Sequence, residues 1–99
     1  MKKLFVSQPM NGKSDKEILD ERNRLIAEAE ERSGEKFEVL ETFFRGAPAD
    51  AKPLWYLGES LKLLSTADVA YFANGWKNAR GCKIEHICAE QYGINIVEA

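Results

Sequence analysis

The sequence predicts an α/β fold in which four parallel strands, in the order 2-1-3-4, lie between helices on both faces. Two observations lead to this fold class. Short apolar segments alternate with segments whose apolar residues recur at helical spacing, and Gly, Pro and polar clusters separate them. Strict alternation favours parallel strands joined by right-handed crossovers. For four strands, 2-1-3-4 is the economical doubly wound order. A chain of 99 residues forms one domain around one core.

The first strand and the first helix are predicted in the N-terminal third. Lys3–Ser7 is apolar, and the polar loop 8–13 ends it. Ser14 and Glu17 have the spacing of a capping box, which predicts that a helix begins here. The pair Ser33-Gly34 ends that helix, because glycine readily adopts the left-handed conformation of a helix C-terminus.

The other elements follow the same alternation. Aromatic and β-branched residues predict the second strand, prolines mark the loop after it, and apolar residues at helical spacing predict the next helix. These elements are a strand from 37 to 44, a loop from 45 to 53, a helix from 54 to 67, a strand from 69 to 73, a helix ending at 92–93 and a strand from 94 to 97.

The composition excludes several classes of protein. A hydrophobic fraction of 44% and a charged fraction of 30% are ordinary for a globular protein. No apolar run approaches the roughly 20 residues of a spanning helix, and the N-terminus turns polar early. We therefore expect neither a membrane segment nor a signal peptide, and we expect a cytoplasmic protein. The net charge of −2, with no Lys/Arg run longer than a pair, argues against a nucleic-acid partner.

The cysteine and histidine residues do not predict a metal site. Cys82 and Cys88 are about 240° apart around one predicted helix, so they can neither form a disulfide nor bind a metal together. Cys82 and His86 could share a face, but two ligands are too few for zinc. We expect no metal and no cofactor.

One crevice follows from the predicted topology. The switch point of the order 2-1-3-4 lies between strands 1 and 3, so their exit loops, 7–13 and 74–80, should meet at the carboxyl edge of the sheet. The third helix begins there and carries Glu85. P-loop, dinucleotide-binding, zinc-protease and serine-hydrolase patterns are not found in the sequence.

Several side chains and one loop near this crevice have more than one interpretation. Glu85 is either a nucleophile or general base, or a solvated helix carboxylate paired with a cation. Trp76 is a stacking platform, a subunit contact or a cap on the core. Arg80 is a clamp for phosphate or carboxylate, or an exposed cation. Loop 8–12 is a ligand loop or a simple Pro/Gly turn. We expect Arg22 to lie at the core's edge with its charged end toward solvent.

Three segments carry a resemblance to a known family: KLFVSQPMNGK at the N-terminus, WYLGESLKLLSTADVAYFANGW, and NARGCKIEHICAEQYG. In this order and spacing, they resemble an uncharacterised bacterial and phage family grouped with the nucleoside 2-deoxyribosyltransferases. The match covers nearly the whole chain. The resemblance implies a flavodoxin-like sheet and a site for a nucleoside or nucleotide.

The resemblance also implies roles for individual residues. Glu85 matches the glutamate that attacks the anomeric carbon and forms a glycosyl-enzyme intermediate, which fits the chemistry of an oxocarbenium-like transition state. The two exit loops would hold base, sugar or phosphate. The ligand-binding residues expected there are Ser7, Gln8, Pro9, Met10, Asn11, Gly12, Asn74, Gly75, Trp76, Asn78, Arg80 and Gly81.

The sequence departs from the transferases at three positions. Phe5 replaces the tyrosine that orients the nucleophile, Ser60 replaces the aspartate that assists the leaving base, and Lys83 replaces a glycine.

Three hypotheses result. The first is an N-glycosidase or deoxyribosyltransferase-like enzyme with Glu85 as nucleophile and Ser60 as a polar assistant. The second is a non-catalytic nucleotide-binding module. The third is a small oligomerising scaffold with subunit contacts at Trp76 and Arg22. We expect a homodimer or higher homo-oligomer, because the sheet has two edges and the core is modest.

Overall fold

The structure is a computed structural model that describes residues 1–44 and 46–99. It confirms the parallel four-stranded sheet of order 2-1-3-4, consistent with a flavodoxin-like sandwich. The elements are β1 Lys2–Ser7, α1 Asp15–Ser33, β2 Phe37–Val39, α2 Pro53–Leu64, β3 Val69–Phe72, a 3-10 turn Trp76–Asn78, α3 Arg80–Gln91 and β4 Asn95–Glu98.

Strand β1 lies in the middle of the sheet and separates two apolar clusters. Successive β1 side chains point to opposite faces. Leu4 therefore packs with Leu25 of α1, whereas Phe5 packs with Leu64 of α2 and Ala89 of α3. The molecule thus has three layers, with α1 on one face and the other two helices on the opposite face.

The capping box predicted for α1 is present. The Ser14 hydroxyl accepts from the Glu17 N–H at 3.2 Å, and the Glu17 carboxylate accepts from the Ser14 N–H at 3.1 Å. At the other end, Gly34 has a φ of 72°, and its N–H donates to the carbonyl of Glu30. Both ends of α1 are therefore determined by local sequence.

Strand β2 is shorter than predicted, and the range 37–44 was wrong beyond Val39. The Leu40 N–H still donates to the Leu4 carbonyl at 2.9 Å, but the chain then leaves the sheet. The Thr42 hydroxyl is buried and donates to the Val6 carbonyl at 3.3 Å. A side chain thus satisfies the β1 carbonyl that a longer β2 would have paired.

The charged end of Arg22 is buried, so the prediction that it faces solvent was wrong. The guanidinium donates to the Thr42 hydroxyl at 2.6 Å and to the Leu40 carbonyl at 2.5 Å, and it lies 3.9 Å from the Glu41 carboxylate. These acceptors are available because the segment after β2 leaves the sheet and folds over α1.

Helix α2 ends at Leu64, three residues before its predicted end. The hydroxyls of Ser65 and Thr66 bond to the carbonyls of Lys62 and Leu63, which competes with further helical turns. Within the described residues, no helix has both the length and the apolar composition to cross a membrane.

Candidate functional site

Glu85 is a buried carboxylate in contact with two other elements. Its side chain lies on α3 and is 8% exposed. The hydroxyl of Ser7, the last residue of β1, donates to Glu85 Oε1 at 2.6 Å. Ser60, buried on α2, interacts with the same carboxylate. Residues far apart in sequence thus meet at the carboxyl edge of the sheet.

Local structure explains why these residues converge. Ser7 lies beside Phe72 in the register of β1 and β3, and α3 begins shortly after β3 ends. The buried residues of α3 are Cys82, Glu85 and Ala89, which are spaced three and four apart on one face. Glu85 therefore occupies a core-facing position in the N-terminal half of α3, the half that begins near the strand ends.

Burial changes the acidity of this carboxylate. Loss of solvation raises the pKa of Glu85 from 4.5 to about 7, although Ser7 and Ser60 both act to lower it. Near neutral pH, the group is therefore divided between the carboxylate and the acid. The carboxylate can act as a nucleophile or a base, and the acid can donate a proton.

The first exit loop is anchored to α1 through Gln8. This side chain is 5% exposed, and its Nε2 donates to the Ile18 carbonyl at 3.1 Å and to Glu21 Oε1 at 2.9 Å. Lys13 reaches the same Glu21 oxygen at 3.2 Å. Gln8 Oε1 is buried and has no hydrogen-bond partner among the described residues. Both partners of Nε2 are acceptors, so the orientation of the amide is determined and Oε1 remains an acceptor.

The two exit loops contact each other. Pro9 Cγ lies 3.8 Å from the position that a Cβ would occupy on Gly75, which has a φ of 88°. The adjacent turn closes through the Lys13 N–H, which donates to the Met10 carbonyl at 3.2 Å, and it exposes Asn11 and Gly12. Loops 7–13 and 74–80 therefore lie at one edge of the sheet, as the topology predicts.

Trp76 is half-buried and caps the core beside β3. Its ring stacks on His86 with centroids 3.8 Å apart and planes 4° apart, and it also contacts Phe72 at 5.8 Å. His86 Nε2 lies 3.1 Å from Glu98 Oε2, which holds the imidazole in place. One face of the indole is thus covered by protein. Contact of Trp76 with a ligand stays a prediction.

Glu85 lines neither of the two cavities described here. A pocket of about 290 Å³ lies against the exit loop of β3, where Asn74, Gly75, Trp76 and Asn78 line it together with Glu98. A groove of about 840 Å³ runs between α1 and α2 beside the edge strand β2. We place the candidate site at Glu85 because a buried carboxylate with a raised pKa marks chemistry more specifically than an empty volume does.

Helix α3 presents a free N-terminus beside these loops. Its first residues are Arg80, which is exposed, and Gly81, which is half-buried. The N-cap residue, Ala79, has no side chain that can cap the helix, and the first turn contains no acidic residue. The first backbone N–H groups of α3 therefore keep their partial positive charge for an external acceptor.

The remaining residues near the site include Cys82, which the sequence analysis did not place beside Glu85. Phe5 is 1% exposed and Lys83 is exposed, so the first belongs to the core and the second faces solvent. Cys82 is 4% exposed on the same face as Glu85, and burial raises the pKa of its thiol to about 11. Its position three residues before Glu85 was the available signal. A neutral thiol here contributes apolar packing beside the carboxylate.

Comparison with known proteins identifies the family of the chain. No curated protein and no solved structure matches it. A family model described as a domain of unknown function matches residues 2–98, which is nearly the whole sequence. The chain therefore belongs to the DUF4406 family.

Proposed function

We propose that this protein breaks the N-glycosidic bond of a nucleoside or nucleotide, as a hydrolase or as a deoxyribosyltransferase-like enzyme, with Glu85 as nucleophile. The observation that carries the proposal is the geometry around this carboxylate. It is 8% exposed and accepts from Ser7 at 2.6 Å at the strand edge where α/β folds bind ligands. The sequence resemblance to the nucleoside 2-deoxyribosyltransferases supports the choice of substrate.

The reaction follows from a carboxylate next to an anomeric carbon. A Glu85 oxygen forms a bond to that carbon as the bond to the base nitrogen breaks, and the base leaves with the electron pair and takes up a proton from solvent. Water then attacks the same carbon, loses a proton and releases the Glu85 carboxylate. In a transferase, a second base takes the place of water. Ser7 fixes the orientation of the carboxylate through its short hydrogen bond.

The exit loops and the start of α3 would hold the rest of the ligand. Gln8 Oε1 is a buried acceptor without a hydrogen-bond partner among the described residues, and a sugar hydroxyl could pair with it only if the loop around it shifts. The uncapped N-terminus of α3 and the exposed Arg80 favour an anionic group such as a phosphate. These features support nucleotides as well as nucleosides among the substrates.

The proposal is tested by incubating the protein with nucleosides and nucleotides and measuring the release of free base by chromatography.

A second candidate function is a nucleotide-binding module without catalysis. It is favoured by Ser60, which supplies a hydroxyl instead of an acid, and by Phe5, which is buried in the core and has no hydroxyl. Such a module would show a higher melting temperature with ligand and no base release, because binding to the folded state alone stabilises it.

Replacing Ser60 with Asp should increase base release by roughly 10- to 100-fold, because a protonated carboxyl can donate to the leaving base. A second carboxylate beside Glu85 raises the pKa of one of the two groups. The matched control is Ser60→Asn, which has nearly the same size but cannot be an acid. Equal initial rates of base release for the two variants would show that an acid at position 60 does not assist the leaving base.

We also propose that the protein is a homodimer or higher oligomer. Its accessible surface is 6229 Å², larger than the roughly 5,700 Å² typical of a monomer of 11.2 kDa. Leu54 is 75% exposed and Ile87 is 56% exposed, so α2 and α3, the two helices on one face of the sheet, present apolar side chains to solvent. Light scattering at micromolar concentration should give a mass of at least about twice 11.2 kDa. A mass of one chain would refute the proposal.

A further inference from the structure

One stripe of α2 runs from the core to the candidate site and then beyond the sheet. It consists of Leu64, Ser60 and Tyr56, which are spaced four apart and therefore share a face of the helix. Leu64 is 2% exposed in the core, and Ser60 is 8% exposed next to Glu85. Tyr56 is 40% exposed. The stripe thus ends in an aromatic ring that is incompletely covered.

The direction of α2 explains this exposure. The helix begins after β2 and leads back to β3, so its first turn lies at the carboxyl edge of the parallel strands. Four residues of helix span about 6 Å, and helical side chains lean toward the N-terminus. The ring of Tyr56 therefore lies farther than Ser60 from the centre of the sheet. It lies at the carboxyl edge, the side from which a ligand would approach Glu85.

Neighbouring aromatic residues hold this ring. The Trp55 and Tyr56 rings make an edge-to-face contact, with centroids 5.1 Å apart and planes at 85°. The Trp55 ring also makes an edge-to-face contact with Phe44, with centroids 6.1 Å apart and planes at 77°. An aromatic group with a fixed neighbour loses little entropy when a planar ligand stacks on it. Trp76, by contrast, already has one face covered by His86.

We propose that Tyr56 stacks on the planar base of a nucleotide whose sugar lies at Glu85. This inference rests on the proposed function for the position of the sugar, and it adds the residue that recognises the base. Stacking on an aromatic ring requires only a π face, so Tyr56 accepts purines and pyrimidines. Its position on the same stripe as Ser60 places base recognition next to the bond that breaks.

The test compares ligands with and without a base. Dissociation constants are measured by calorimetry for nucleoside monophosphates and for ribose 5-phosphate, in a Glu85→Gln background that prevents turnover. Tyr56→Leu should weaken nucleotide binding roughly 10- to 100-fold and leave ribose 5-phosphate unchanged. Tyr56→Phe should retain the affinity of the parent. The matched control is Tyr92→Leu, at a tyrosine that is 85% exposed at the end of α3.

A second measurement does not depend on the folding of the Tyr56 variants. The chain contains two Trp residues, so Trp76→Phe leaves Trp55 as the only indole. A nucleotide that stacks beside it should quench its fluorescence, whereas ribose 5-phosphate should not.

The outcomes separate this inference from the proposed function. Equal losses for nucleotide and ribose 5-phosphate, unchanged nucleotide binding in Tyr56→Leu, or no nucleotide binding by the parent would each overturn the role of Tyr56. Absence of quenching in Trp76→Phe, at a nucleotide concentration at which calorimetry shows this variant saturated, would overturn it as well. If Tyr56→Leu selectively weakens nucleotides but the wild-type protein releases no base, the stacking role stands and the catalytic proposal fails.

Discussion

Replacing Glu85 with Gln is expected to lower the rate of base release about a thousandfold or more, with little change in nucleotide affinity. Glutamine keeps the size of the side chain and can still accept from Ser7, which donates to Glu85 Oε1 at 2.6 Å. It cannot supply the anion that attacks the anomeric carbon. Initial rates by chromatography and affinities by calorimetry measure the two effects separately.

The pH dependence of the wild-type rate gives an independent check on this role. A nucleophile must be ionised, so base release should rise as the pH passes through about 7, the pKa of Glu85, and then level off. A general acid would show the opposite trend. Glu90→Gln, at an exposed position on the same helix, is the matched control for Glu85→Gln and should release base at the wild-type rate. If Glu85→Gln releases base at the wild-type rate, Glu85 is an ordinary helix carboxylate.

The second large effect concerns stability. Burial raises the pKa of Glu85 from 4.5 to about 7, so the folded state holds its proton more tightly than the unfolded state does. The resulting stabilisation is fully present below pH 4.5 and is lost as the pH rises through about 7. Over this range, the wild-type protein should lose about 3 kcal/mol of unfolding free energy from this group. Glu85→Gln lacks this dependence.

Urea unfolding of the two proteins between pH 4.5 and 8 measures this contribution as a difference. Other titrating groups are common to both chains, so their effects cancel to first order. The unfolding free energy of Glu85→Gln minus that of wild type should grow by about 3 kcal/mol as the pH rises. A constant difference across the range would show that Glu85 is solvated in the folded protein.

Local signals predicted the fold well because they were consistent with one another. The capping box at Ser14 and the glycine at 34 determined α1, and alternation of elements determined the strand order. The positions of Glu85 and Ser7 followed, since the carboxyl ends of parallel strands share one edge of the sheet. Topology thus places residues that are far apart in sequence into one crevice.

Tertiary contacts decided the features that were predicted wrongly or missed. The segment after β2 has the composition of a strand, yet Thr42 and the Leu40 carbonyl instead bind Arg22. The spacing of apolar residues within one helix or strand cannot predict a hydrogen bond between side chains of different elements. The stack of Trp76 on His86 is equally invisible in a sequence pattern. Tyr56 was missed although its spacing from Ser60 was available, because the apolar spacing that predicted α2 ran through Leu54, Leu57, Leu61 and Leu64 and left Tyr56 outside it.

The central position of β1 also bears on how the chain folds during synthesis. β1 leaves the ribosome before β2 and β3, but its β2 neighbour is only three residues long, and its other neighbour, β3, comes much later. The Lys3 N–H, for example, donates at 2.7 Å to Asp68, 65 positions along the chain. Until β3 emerges, one edge of an apolar strand remains unpaired and can join another nascent chain. Polysomes that crowd such chains together would therefore favour aggregation, and a chaperone that covers the first strand would suppress it.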